Sequence, residues 1–175
     1  MALKKYKNLI KWSLYVVLAV LLFCFQTAPT KLSVLSDIQF LIPVVIVVAS
    51  FEKIVPSTVF ALFCGLLWDY SVQRQFGYNA LILMLVAVAA SLVMKLYIMP
   101  MPLSVCSLVL IASLVHTILD FFFFFVLTGL SGAFSIFIRQ SISAVIATSV
   151  FGIAVYFLIY LIYKISPIKA KFDID

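Results

Sequence analysis

The chain is a succession of apolar runs, each long enough to cross a lipid bilayer, divided by turns of only a few polar residues. A helix needs about 20 mostly apolar residues to traverse a hydrocarbon core of about 30 Å. Such runs lie at about 9–28, 32–51, 54–70, 79–99, 103–127 and 134–163 of the 175 residues. Hydrophobic residues make up 66% of the chain and charged residues 10%, whereas a soluble domain has about 45–50% apolar and about 25% charged residues. A soluble globule of this composition would have too little polar surface to cover itself. The predicted fold is therefore an all-α integral membrane protein: one domain over residues 1–175, forming a single polytopic bundle of about six transmembrane helices.

The first run is longer than the apolar segment of a secretory signal, and no A-x-A-like site follows it. It reads as a retained anchor ended by Pro29, Thr30 and Lys31. The second and third runs are short and are joined only by Glu52 and Lys53. They read as a crossing pair that tilts or thins the bilayer locally, in preference to a re-entrant hairpin. Pro43 falls inside the second run, which neighbouring helices in a membrane tolerate. Pro56 falls in the first turn of the third, where its missing N–H costs least.

Six spans place both termini on one side. Of the 12 Lys and Arg residues, nine then fall on that side and three, Lys31, Arg74 and Arg139, on the other. Cytoplasmic segments retain the basic residues, so both termini are expected in the cytoplasm. The same placement argues against nucleic-acid binding, because the lysines flank apolar spans.

Charges within a bilayer are costly and usually face a partner or the bundle interior. Asp69, His116, Asp120 and Arg139 qualify. At about 1.5 Å per residue, the two aspartates and Arg139 fall in the outer half of the membrane. Arg139 is expected to pair with Asp120, Asp69 or both. His116 and Asp120 are four residues apart and share a helix face. They read as an interhelical hydrogen-bonding face in preference to a proton relay or ligand site.

His116 is the only histidine, which leaves a histidine-rich metal site without ligands. Cys24, Cys64 and Cys106 are isolated, with no CxxC spacing, and read as small packing residues. No phosphate loop, HExxH or G-x-S-x-G elbow is present. The sequence therefore points to a non-enzymatic protein without a cofactor or metal.

The most informative segment is Ser57–Met99, STVFALFCGLLWDYSVQRQFGYNALILMLVAVAASLVMKLYIM. Gly65 and Asp69 stand four apart near the end of one span, and Gly77 follows eight residues later, before another long apolar span. Gly65 can admit a second helix closely, Asp69 can cap backbone groups of the turn or accept from Arg74 or Arg139, and Gly77 can take a positive φ. This pattern resembles the rod shape-determining protein MreD family. Chain length, the short second span with its proline and the expected cytoplasmic termini are similar too. The likeness in residues is confined to about Gly65–Ala80. Family members often carry a further glycine in the turn, where this chain has Ser71-Val72-Gln73-Arg74-Gln75-Phe76.

The resemblance implies a multi-pass protein of the bacterial cytoplasmic membrane that scaffolds cell elongation. Its implied partners are MreC, RodA with its class B penicillin-binding protein, MreB, RodZ and the membrane lipids. Gly65, Asp69, Gly77, His116, Asp120 and Arg139 would serve structure or partner binding. The alternative is the substrate-binding subunit of an energy-coupling-factor vitamin transporter. Such subunits are also small, with about six spans, but need several convergent polar groups to read a ligand.

Overall fold

The computed structural model describes residues 2–27, 38–72, 76–96, 101–123 and 133–165. These residues form six helices: α1 (Ala2–Thr27), α2 (Leu41–Phe51), α3 (Ile54–Val72), α4 (Tyr78–Leu96), α5 (Pro102–Phe121) and α6 (Ala133–Ile165). Five of them, all but α2, contain stretches long and apolar enough to cross a membrane. The chain is a multi-pass, all-α membrane protein.

The apolar residues left uncovered by protein have a physical role in that setting. Val55, Leu103 and Leu161 are 73%, 83% and 66% exposed, which would be unfavourable in water and is favourable against lipid tails.

The middle of the bundle is α2. All 11 of its residues are buried, and it touches each of the other five helices. A helix apolar on every side belongs in an interior, and LIPVVIVVASF has no polar face to turn toward headgroups. Its β-branched side chains fill the space between α1, α3, α4, α5 and α6, while Ser50 satisfies its hydroxyl by donating to the Ile46 carbonyl at 2.7 Å.

Here the structure departs from the expected second span at 32–51. The helical part is 11 residues, or about 16 Å, roughly half of a hydrocarbon core. Within the expected span, residues 32–37 lie outside the described part, and Ile38–Phe40 precede the helix. The dense apolar core of that run is thus a protein-buried centre.

Around α2 the helices pair closely. Helices α3 and α4 pack closely along each other, and so do α5 and α6. In the second pair, Gly152 of α6 faces the Val109 side chain of α5. Helix α5 starts with Pro102 at its first position, which needs no donor there. Ser57 and Ser91 join α3 to α4 with a 3.2 Å hydroxyl contact, and Ser91 also donates to the Ala49 carbonyl of α2 at 3.0 Å.

Candidate functional site: the polar joint inside the bundle

The turn between α3 and α4 is closed by Asp69. Its carboxylate is almost fully buried and accepts three backbone N–H groups: Gly77 at 2.9 Å, Asn79 at 2.9 Å and Ala80 at 3.2 Å. A helix leaves its first N–H groups without intrahelical partners, and a carboxylate also suits the positive end of the helix dipole. Asp69 therefore caps α4 from the end of α3, locking the two helices across the turn.

The two glycines make that geometry possible. Gly77 has φ +96°, a left-handed conformation that residues with a Cβ reach only with strain. Gly65 lies one helical turn before Asp69, where α3 and α4 meet backbone to backbone. A Cβ on Gly65 would stand 2.2 Å from the Ala80 Cα and 2.6 Å from the Ala80 nitrogen. The approach that lets Asp69 reach Ala80 therefore requires a glycine at position 65.

From this joint a second link runs to α5. The Nε2–H of His116 donates to the Asn79 Oδ1 at 2.9 Å, because an amide oxygen can only accept. The His116 ring stacks on Trp68 of α3, with centroids 4.7 Å apart and planes 10° from parallel. One imidazole thus ties α5 to both helices of the joint. Its other nitrogen, Nδ1, has no partner among the described residues. Asp120, one turn beyond His116, is half-buried and engaged in an interaction of its own. Arg139 belongs to α6, but its side chain and all of Arg74 lie outside the described residues, as do the expected pairings of Asp69 or Asp120 with these arginines.

Sequence reasoning did not single out a third cluster, at the start of α2. The Gln39 backbone N–H donates to Thr148 Oγ1 of α6 at 3.1 Å, its side-chain amide to Thr117 Oγ1 of α5 at 3.5 Å, and Ser113 Oγ of α5 to Gln39 Oε1 at 3.2 Å. Ser113, His116 and Thr117 are all buried on α5, so this helix carries a polar face that meets Gln39 ahead of α2, Asn79 of α4 and Trp68 of α3. The sequence signal was the spacing of Ser113, His116 and Thr117 on one helical face.

Chemically, these groups fasten helices. Asp69 is occupied by three donors, and Gln39 by partners on two helices. Among the described residues, no group of three or more His, Cys, Asp or Glu could hold a metal ion. The three cysteines are unpaired: Cys24 is exposed, Cys64 buried and Cys106 between the two.

The Asn79–His116 bond is expected to be worth about 1 kcal/mol, the scale of interhelical polar contacts in membranes. A double-mutant cycle with Asn79→Ala and His116→Phe, read by unfolding in detergent, checks this. The phenyl ring preserves the stack on Trp68 and loses only the donor. Strictly additive losses would show that the two side chains are not coupled.

No family model, curated protein or solved structure matches the chain.

Proposed function

We propose that this protein is a non-enzymatic scaffold of the bacterial cell-elongation machinery, with the role that its resemblance to the MreD family implies. The observation that carries the reading is the α3–α4 joint. Gly65, Asp69 and Gly77, the three residues on which the resemblance rests, form one working unit: a close helix contact, a capping carboxylate and a left-handed turn. Their chemistry is spent on shape. A rigid turn between two spans suits a protein whose task is to present fixed helix faces to other membrane helices. The short connections from α2 through α5, such as Glu52–Lys53, leave those faces as the main surface for partners. In this reading the scaffold lies in the cytoplasmic membrane and links MreC and MreB to RodA and its class B penicillin-binding protein, with RodZ alongside.

Purification of the tagged protein from its native host in mild detergent, with mass spectrometry of what accompanies it, tests the proposal. MreC together with RodA or its penicillin-binding partner is the expected result. A transporter ATPase pair with its coupling membrane subunit would overturn the scaffold reading and favour a vitamin-binding subunit.

A further inference from the structure

Helix α1 sits differently from its neighbours. In the most apolar 18 residues of its stretch Tyr6–Thr27 only 17% are buried, against 33% to 44% in the matching windows of the other four long helices. Among its described side chains the buried ones are Lys11, Tyr15 and Ala19, one narrow stripe at four-residue spacing. Two of its described side chains, Lys11 and Tyr15, meet at Glu52, in the turn between α2 and α3. Lys11 Nζ lies 2.7 Å from Glu52 Oε1, with both side chains nearly or wholly inaccessible. Tyr15 donates to the same oxygen at 3.1 Å. Lys11 also lies over the Tyr163 ring of α6, 5.6 Å from its centroid. Trp12 and Tyr15 pack edge-on or tilted against Phe60 of α3.

In lipid, an apolar helix face gains little net free energy by exchanging lipid tails for protein, so polar contacts and close packing decide where a helix sits. For α1 the close packing centres on that narrow stripe, with Trp12, Leu18, Leu22 and Phe23 partly buried beside it. The polar contacts gather on Glu52, which Lys11 meets as an ion pair and Tyr15 as a hydrogen-bond donor, and a charge pair is strong where water is excluded. Released from that contact, Lys11 is near enough to its end of the helix to extend its ammonium to the membrane surface, so the unseated helix carries no stranded charge in lipid.

We infer that α1 is a latched helix: the Lys11–Glu52 ion pair holds it in the groove between α3 and α6, and loss of that pair releases α1 while α2–α6 stay assembled. The released groove presents Glu52 beside Phe60 and Tyr163. Seating α1 thus decides whether this acidic, aromatic-lined face of the bundle is covered.

Distances between spin labels on the full chain in detergent test the latch. The background carries Cys24→Ala, Cys64→Ala and Cys106→Ala. One label pair, Val17→Cys with Leu158→Cys, reports α1 against α6. A second, Val59→Cys with Ile111→Cys, reports α3 against α5. All four positions are exposed. With Lys11 and Glu52 intact, each pair should give one narrow distance. Lys11→Glu should add a longer population to the first pair and leave the second unchanged, and the reversed pair Lys11→Glu with Glu52→Lys should restore the single distance. An unchanged first pair in Lys11→Glu would overturn the latch. A reversed pair that restores nothing would overturn direct charge pairing. Should Lys11→Glu disturb both label pairs, Lys11→Met decides. Release of α1 alone in that variant supports the latch; disturbance of both pairs, or of neither, contradicts it.

Discussion

Gly65→Ala is expected to be among the most damaging single-methyl additions in the protein. The new Cβ would meet backbone atoms of Ala80 at 2.2 and 2.6 Å and the Asn79 carbonyl oxygen at 2.8 Å. No side chain can swing away to relieve those contacts. Helices α3 and α4 must separate, and Asp69 then loses its reach to the first turn of α4. Overpacking typically costs about 1–3 kcal/mol and occasionally more. The backbone contact and the coupled loss of the cap place this substitution at or above about 3 kcal/mol on that scale. Gly152→Ala is the matched comparison. Its Cβ would first meet a Val109 methyl at 3.3 Å, and a side chain can yield by the few tenths of an ångström needed. Thermal unfolding of both variants in one detergent should show a large loss at 65 and a small change at 152. Equal losses would mean that the α3–α4 approach is not specially constrained.

The second large effect is expected for Asp69→Ala. It leaves three N–H donors, those of Asn79 and Ala80 buried and that of Gly77 partly so, without that acceptor. Each unsatisfied buried group costs about 1–3 kcal/mol, reduced here by whatever water enters the space that the carboxylate leaves. A loss of about 3 kcal/mol is expected on that basis. Asp69→Asn keeps one oxygen, which can still accept from Gly77 and Ala80 or from Asn79, but not from all three in the observed arrangement. It should fall between the parent and Asp69→Ala in unfolding temperature. An Asp69→Ala variant as stable as the parent would remove the capping role.

The two predictions share a reason why this part of the fold was legible in the sequence. Gly65, Asp69 and Gly77 act over one helix end, one turn and the next helix start, so their spacing carries the geometry. The helical spans were legible for a similar reason: a bilayer sets their length, and apolar runs of that length are visible directly. The start of α5 at Pro102 and the end of α3 near Asp69 follow local chain chemistry.

What the sequence concealed is set by contacts between distant residues. Glu52 looked like a turn residue and Lys11 like a topology signal. Their pairing depends on α1 lying against the α2–α3 turn, which no local pattern specifies. Asn79 looked like the start of a span, while its partner His116 is 37 residues away. Gln39, beside an apolar run, gave no sign of its bonds to α5 and α6. The short length of the second run was visible, but its position at the centre was not. An all-apolar segment is equally compatible with lipid and with a protein interior, and only the other five helices decide between them.

The buried polar residues of this bundle fasten its helices, with Asp69 as the principal clasp. Amide hydrogen exchange at Gly77, Asn79 and Ala80 in the detergent-solubilised protein tests it most directly. Protection at all three amides is expected in the parent chain, and accelerated exchange at all three in Asp69→Ala, with amides in the middle of α5 unchanged. Equally fast exchange in the parent and in Asp69→Ala would contradict the account, because the carboxylate would then not be holding the start of α4.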